Sequence, residues 1–245
     1  INTQKRNHVL RGATAVTTVS PWHQRTLAQY NPNTHLIYNG YDAHTFYPKT
    51  LVIESFDITF IGKYYSHYQD CPRLLFAALQ SLIATNQIAV DEVKVHFYTN
   101  AVGQADFAKL AKEYTLDNVV RVHNYIPRSE IVDRMHHSSI MLVLTTPIKQ
   151  YGTHGMMGTK FYEILGVEKP CLCLNSDEEC LAEAIKNTHA GLAATHVEDV
   201  KAFILEKYQE WKANGYTHQL VINKEQFTRQ HEAEQFEQVF LQCIK

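Results

Sequence analysis

A glycine-containing loop that leads into a helix carries the clearest chemical pattern in this sequence. The segment Pro147–Met157 is followed by Gly158, Thr159 and Lys160, and Glu163 comes one helical turn later. Glycines allow backbone N–H groups to point at an anion, and a helix start adds a favourable dipole. Lys160 in the first turn opposes that dipole unless an anion is bound nearby. The spacing therefore predicts a phosphate-binding helix start, with the Glu163 carboxylate placed to accept both hydroxyls of a ribose. A solvated Lys160–Glu163 pair is the alternative that spacing leaves open.

A second glycine–lysine pair, Gly62 and Lys63, follows the apolar run Ile58–Ile61. A glycine at a strand end lets a ligand approach the backbone closely. A lysine beside it supplies a point charge for a diphosphate. Because a surface lysine after a strand is common, this pair indicates a diphosphate site only together with the loop before Gly158.

The elements that position these residues alternate along the chain. Apolar, β-rich runs are separated by longer helical patterns, which indicates βαβ units and a parallel sheet. Runs such as Ile140–Leu144 are typical of strands covered on both faces. The crossover rule then predicts an α/β fold with a Rossmann-like, doubly wound parallel sheet, whose ligands bind beyond the carboxyl ends of the strands. The predicted strands are Ala15–Val19, His35–Tyr38, Ile58–Ile61, Val93–Tyr98, Val119–Val122, Ile140–Leu144 and Cys171–Leu174. The predicted helices are Trp22–Tyr30, Pro72–Ala84, Gln104–Tyr114, Ser129–His137, Thr159–Leu165 and Glu178–Asn187.

Two further segments are assigned by their pattern. Val197–Lys245 has no strand pattern, and apolar residues from Phe236 to Ile244 recur at helical spacing, which predicts closing helices packed on the sheet. Tyr47–Phe56 is the best connector between an opening segment and the main sheet.

Composition narrows the functional classes. A chain of 245 residues can bury a substantial core, and 45% hydrophobic and 20% charged residues are ordinary for a globular protein. A net charge of -2 argues against a nucleic-acid partner, which usually requires a basic footprint. None of the 14 histidines has the spacing of a helical zinc site, so no metal is expected. Five cysteines without framework spacing indicate reduced thiols, and Cys171 and Cys173 read as small buried strand residues. No apolar run approaches a membrane span.

Taken together, these segments resemble the C-terminal, nucleotide-sugar-binding domain of the large group 1 family (family four) of retaining glycosyltransferases, which have the GT-B fold. Each motif alone has low specificity, but the order of the motifs along residues 13–195 makes the joint match specific. The segments that carry the resemblance are Val16–Ser20, Ile37–Asp42 with Phe46 and Pro48, Phe60–Lys63, Val122–Pro127, Gly158–Glu163 and Lys169-Pro170.

The resemblance implies that residues 1–245 form the donor-binding domain of a GT-B enzyme. Residues 1–20 would be the interdomain start and 197–245 the closing helices, with an N-terminal acceptor domain lying outside the chain. The implied donor is a nucleoside-diphosphate sugar, with no cofactor and no metal requirement. Gly62, Lys63, Gly158, Thr159 and Lys160 would bind the donor diphosphate, Glu163 the ribose, and Tyr125 and Ile126 the nucleobase.

The sequence departs from the family pattern at several positions. Many relatives carry two glutamates eight positions apart; Glu163 fits the second, but Gly155 stands at the first. Adjacent His154 and Gly155 are therefore possible sugar contacts, although His154 also reads as an ordinary loop histidine. A second family lysine is missing near Asp70, where Arg73 is a possible substitute, and Glu168 replaces the glycine of the family's G-K-P segment.

The implied reaction is transfer of a hexose-type sugar with retention, in polysaccharide or glycoconjugate synthesis, and the isolated chain is expected to be inactive. No catalytic residue is assigned within it. The implied location is cytoplasmic, with peripheral association at the inner membrane surface as an alternative. Two other functions stay open: a non-catalytic nucleotide-sugar or partner-binding module, and a different GT-B enzyme such as a sugar-nucleotide epimerase.

Overall fold

The computed structural model describes residues 3–65, 72–146, 152, 154–176 and 179–244. It confirms the predicted α/β class, because six parallel strands form one sheet with helices on both faces. Two further parallel strands form a small separate sheet. The small sheet consists of β1 (Val16–Thr18) and β2 (Thr34–Leu36), and the main sheet of β3 (Phe56–Ile61), β4 (Val93–Tyr98), β5 (Val120–His123), β6 (Ile140–Leu144), β7 (Cys171–Leu174) and β8 (Gly191–Ala194).

The strand order of the main sheet is β5-β4-β3-β6-β7-β8. The chain builds outward from β3 in one direction, then returns to place β6 on the other side of β3, pairing Ile58 with Ile140. This is the Rossmann order, with a topological switch point between β3 and β6. The loops that follow these two strands diverge there and leave a crevice at the carboxyl edge of the sheet.

Helices cover the sheet in two layers. Their bounds are α1 (Thr3–Gly12), α2 (Pro21–Ala28), α3 (Arg73–Ala84), α4 (Ala101–Glu113), α5 (Arg128–His136), α6 (Thr159–Val167), α7 (Glu179–Asn187), α8 (Val197–Asn214) and α9 (Arg229–Cys243), with a short 3-10 helix at Lys224–Phe227. One face of the sheet packs against α3, α4 and α8, through residues such as Leu75, Phe107 and Ile204. The other face packs against α5, α6 and α7, through Phe161 and Leu181 among others. Each fully buried Leu or Phe side chain contributes about 1.5–3 kcal/mol, so these layers fix the sheet and the loops at its edge.

Two local predictions, of a connector and of two buried cysteines, are confirmed. Residues 47–55 contain no regular helix or strand and connect the small sheet to β3. Cys171 and Cys173 are fully buried in β7. Within the described part of the chain, no helix is both long and apolar enough to cross a membrane.

Three features differ from the sequence predictions. Strand β8 was missed because its sequence, Gly-Leu-Ala-Ala, has low β propensity, and the strand forms by pairing with β7. Helix α1 was missed because Val9 and Leu10 are its only large apolar residues and it buries none of its residues. The prediction that the apolar residues from Phe236 to Ile244 pack on the sheet is wrong in part. Val239 is buried, whereas Phe240 and Ile244 are 61% and 80% exposed. Helix α9 begins beside the 3-10 helix, and its last turns do not pack on the sheet.

Candidate functional site

A cavity of about 360 Å³ opens at the switch point, between the loop after β3 and the start of α6. It brings together all five residues predicted to bind a diphosphate, although the two groups lie far apart in the sequence. Its floor is formed by the ends of β3 and β6, including Phe60 and Leu144. The lining residues predicted from sequence are Gly62, Lys63, Gly158, Thr159 and Lys160. Their role in binding remains a prediction, but their convergence follows from the Rossmann strand order.

Neither the backbone conformation nor the packing of the protein requires glycine at position 62 or position 158. Gly158 has φ -66° and ψ 135°, which any residue adopts, and an added Cβ would meet no atom within 4 Å. At Gly62 an added Cβ would lie 3.4 Å from the Phe60 ring, an ordinary contact. Glycine at these two positions therefore leaves backbone open toward the cavity, which is the arrangement that close approach of a ligand needs.

Within the described residues, the backbone N–H groups of Thr159 and Lys160 at the start of α6 have no hydrogen-bond partner, and both residues line the same cavity. Gly158 is the N-cap residue and has no side chain with which to cap the first-turn N–H groups. The helix dipole adds a partial positive charge at this end. An anion bound at Thr159 and Lys160 would satisfy both the hydrogen bonds and the dipole.

Lys160 and Glu163 are bonded to each other, with side chains 27% and 22% exposed. The pair that spacing predicted is therefore present, and it is compatible with both interpretations of the sequence. Each partner retains hydrogen-bonding capacity: the ammonium has three N–H groups, and the carboxylate has several lone-pair sites. A ligand carrying phosphate and ribose hydroxyls could thus bind without complete separation of the ion pair.

Lys63 is exposed, and its Nζ lies 4.6 Å from the centre of the Tyr65 ring. A cation–π contact of this kind at an exposed site is worth about 0.5–1 kcal/mol. It holds the ammonium near the mouth of the cavity while leaving its N–H groups accessible.

The predicted nucleobase contacts lie elsewhere on the carboxyl edge. Tyr125, which follows β5, is 54% exposed, and Ile126 is partly buried against the core between the sheet and helices α5, α6 and α7. Neither is among the residues that line the switch-point cavity. At the ends of β4 and β5, Tyr98 and His123 stack with ring centres 4.5 Å apart. Burial lowers the pKa of His123, and the neighbouring His96 lowers it further. The sequence analysis missed this stack, because it forms only when neighbouring strands pair.

His154 and Gly155, the possible sugar contacts, lie against the start of α2. The His154 ring stacks on Trp22 at 4.9 Å with an interplanar angle of 5°. Gly155 has φ +70°, and an added Cβ would lie 2.6 Å from both Ser20 Oγ and His23 Nδ1. A side chain at the position of the family's first glutamate would therefore displace Ser20 and His23 and strain the backbone.

Two other departures from the family pattern have structural explanations. Arg73, the possible substitute for the missing lysine, pairs with Glu113 at 3.3 Å and does not line the switch-point cavity; Asp70 lies outside the described residues. Glu168 ends α6 in the left-handed conformation, with φ +54°. Glycine is the usual residue at such a helix end. Here the Glu168 carboxylate instead accepts hydrogen bonds from Lys224 at 2.5 Å and His218 at 3.0 Å.

Two buried hydroxyl groups at the carboxyl edge were also missed. Thr146 follows β6 and Ser176 follows β7, and their side chains are 2% and 5% exposed. Neither hydroxyl has a hydrogen-bond partner in the described structure. An unsatisfied buried hydroxyl costs about 1–3 kcal/mol. Such unpaired hydroxyls recur in polar ligand sites.

A larger cavity, of about 540 Å³, lies beside β8, the strand at one lateral edge of the main sheet. It is lined by Lys186, His189 and Gln219, among others, and by none of the residues predicted from motifs. In the described parts of the chain, no group of three or more His, Cys, Asp or Glu side chains is arranged to hold a metal ion.

No protein-family model matches this sequence, and no curated protein sequence matches it. Its fold, however, is similar to several solved structures. A TarM variant from S. aureus, solved with fondaparinux, α-GlcNAc-glycerol and UDP, aligns with a TM-score of 0.66 and 12% identity, over 97% of this chain and 46% of TarM. HepE from Anabaena, solved with UDP and glucose, aligns with a TM-score of 0.68 and 14% identity, over 98% and 68% of the two chains. The lipopolysaccharide outer core galactosyltransferase WaaB aligns with a TM-score of 0.67 and 12% identity, over 94% and 62%.

These comparisons confirm the predicted GT-B half-domain fold. At such low identity the likeness concerns the fold alone. The chain spans between 46% and 68% of the length of these three proteins.

Proposed function

We propose that this chain binds a nucleoside-diphosphate sugar as the donor domain of a glycosyltransferase. The observation that carries the proposal is the cavity at the switch point, where two separate loops place Gly62, Lys63 and the Gly158–Lys160 helix start around one space. Switch points of doubly wound sheets are the usual ligand sites of this architecture.

The lining suits a diphosphate better than a neutral ligand. It combines two lysine side chains with the N-terminal end of α6, and each of these favours negative charge. During transfer, negative charge builds on the departing diphosphate. Donors already fixed in position stabilise that charge without reorganisation. This electrostatic role supports a mechanism that needs no divalent metal.

The remaining donor groups are assigned by their order along the site. Glu163 would accept the ribose hydroxyls one helical turn beyond the diphosphate, and Tyr125 with Ile126 would approach the base. The fold neighbours solved with UDP support a nucleotide ligand. We further propose that transfer proceeds with retention, that the acceptor is bound by a domain outside these 245 residues, and that the chain alone transfers no sugar. A role in polysaccharide or glycoconjugate synthesis at the cytoplasmic side of the inner membrane is part of the same proposal.

Calorimetric titration with UDP, GDP and ADP tests the binding site. One nucleotide is expected to bind, and Lys160→Ala is expected to weaken it roughly 10- to 150-fold, because a hydrogen bond to a charged group contributes about 1.5–3 kcal/mol. Lys186→Ala is the matched control, since this lysine lines the other cavity. Absence of binding at millimolar nucleotide, or equal losses in the two variants, contradicts the proposal.

A non-catalytic nucleotide-sugar or partner-binding module is the second candidate function. Gly155 favours it, because this position cannot carry a carboxylate that contacts the donor sugar. The complete natural protein separates the two functions. Sugar transfer or donor hydrolysis supports the enzyme, whereas nucleotide-sugar binding without either reaction supports the binding module.

A further inference from the structure

A compact polar cluster joins the start of α2 to the loop that precedes α6. Ser20, Trp22 and His23 come from α2 and its cap, and His154 and Gly155 come from the loop. The contacts are close: Trp22 stacks on His154, and the Gly155 backbone lies against Ser20 and His23. The sequence predicted a helix over Trp22–Tyr30 and assigned His23 no role.

Ser20 fixes the position of the His23 ring. Ser20 is fully buried, and its Oγ accepts a hydrogen bond from the His23 backbone N–H at 3.3 Å. The same oxygen lies 2.7 Å from His23 Nδ1. Ser20 is buried, and among the described residues its O–H has no acceptor other than Nδ1, so donation to Nδ1 satisfies the hydroxyl and makes Nδ1 the acceptor. The neutral imidazole must in consequence carry its hydrogen on Nε2. His23 is only partly buried, and its Nε2–H has no hydrogen-bond partner among the residues that the structure describes.

Gly155 precedes Gly158 by three residues, so the cluster adjoins the helix start that lines the cavity. Along α6 and its preceding loop, Glu163 is assigned to the ribose and Gly158–Lys160 to the diphosphate. The next group of a nucleotide sugar is the sugar itself, and the next residues in that direction are His154 to Met157. Gly155 approaches His23 so closely that an added Cβ would be 2.6 Å from Nδ1.

We infer that His23 is a donor-sugar contact, with its Nε2–H donating to an oxygen of the sugar carried by the nucleoside diphosphate. Ser20 is a positioning residue that orients the ring, and Gly155 is required because only a residue without a side chain leaves the ring in place. The inference rests on the proposed function, since the direction of the sugar follows from the diphosphate site.

The test compares each nucleotide with its own sugar nucleotide in the 245-residue protein. The pairs are UDP with UDP-glucose, GDP with GDP-mannose, and ADP with ADP-glucose, measured by calorimetry. We expect wild type to bind one sugar nucleotide more tightly than the matching nucleotide. His23→Phe is expected to weaken the sugar nucleotide roughly 2- to 13-fold, the value of one neutral hydrogen bond, and to leave the nucleotide unchanged.

Two further variants separate a sugar contact from a structural role. His23→Gln keeps an N–H donor near the Nε2 position, and it is expected to restore at least part of the preference. His8→Ala, which removes an exposed histidine of α1, should leave both affinities unchanged. Thermal unfolding of every variant checks that the fold is retained.

The possible failures are distinguishable. If wild type binds none of the six ligands, the proposed function is wrong, and the inference falls with it. If the nucleotide binds but the sugar adds no affinity, or if His23→Phe weakens nucleotide and sugar nucleotide equally, the proposed function stands and His23 is not a sugar contact. Failure of the Gln variant to differ from the Phe variant would also overturn the donor role of Nε2.

Discussion

Replacement of Gly158 by alanine should separate ligand binding from stability. The backbone at this position accepts any residue, and an added Cβ meets no protein atom within 4 Å. The cost to folding is therefore limited to the poorer N-cap preference of alanine, less than about 1 kcal/mol. For a chain of this size, that corresponds to a fall in Tm of roughly 2–4 °C.

The same methyl group would stand between the helix start and a bound diphosphate. Overpacking by one methyl group typically costs 1–3 kcal/mol, so nucleotide affinity should fall roughly 5- to 150-fold. Urea unfolding measures the first effect and calorimetry the second, on the same preparation. Unchanged affinity for the nucleotide that wild type binds would refute the argument that glycine is needed for close approach of a ligand.

Three further predictions concern the scaffold. Gly191→Ala should lower the free energy of unfolding by more than about 3 kcal/mol or prevent folding, because φ is +149° and the Cβ would lie 2.0 Å from the Cys171 carbonyl oxygen; a urea midpoint like that of wild type would contradict this. In urea unfolding, Glu168→Gly should be about 1 kcal/mol more stable than Glu168→Ala. Both variants lose the contact with Lys224, but only glycine relieves the strain of the left-handed backbone at position 168. Equal urea midpoints for the two variants would show that this backbone conformation carries no strain. Burial lowers the pKa of Lys169 to about 8, so the unfolded chain binds this proton more strongly than the folded chain does. The free energy of unfolding should therefore rise between pH 8 and about 10.5. Lys169→Met should lack that part of the rise, and parallel profiles of unfolding free energy against pH for wild type and variant would argue against the shift.

Much of the fold could be predicted because the sheet is buried. Val93–Tyr98 and Ile140–Leu144 form near-continuous apolar runs, and the strands observed have the predicted bounds. Gly191–Ala194 could not be identified in this way, since its residues favour no strand by themselves and take their conformation from pairing with β7. Thr3–Gly12 has a helical conformation without a buried face, so periodicity gave no signal.

Part of the candidate site could also be predicted from the sequence, and part could not. Gly62 and Gly158 could be placed together from sequence, because a general rule brings the carboxyl ends of neighbouring strands to one edge. The contact of His23 with Gly155 could not, because the two residues are distant in sequence and no local spacing relates them. The family resemblance drew attention to Gly155 as a missing glutamate, whereas the structure shows the positive φ and the close neighbours that exclude a side chain there.

The central claim is that a nucleoside diphosphate occupies the switch-point cavity, and a crystal structure of the chain with the nucleotide selected by calorimetry tests it most directly. The account predicts diphosphate oxygens within hydrogen-bonding distance of the backbone N–H groups of Thr159 and Lys160, with the Lys63 ammonium at the same diphosphate. Nucleotide bound instead in the cavity beside β8, near Lys186 and His189, would contradict it.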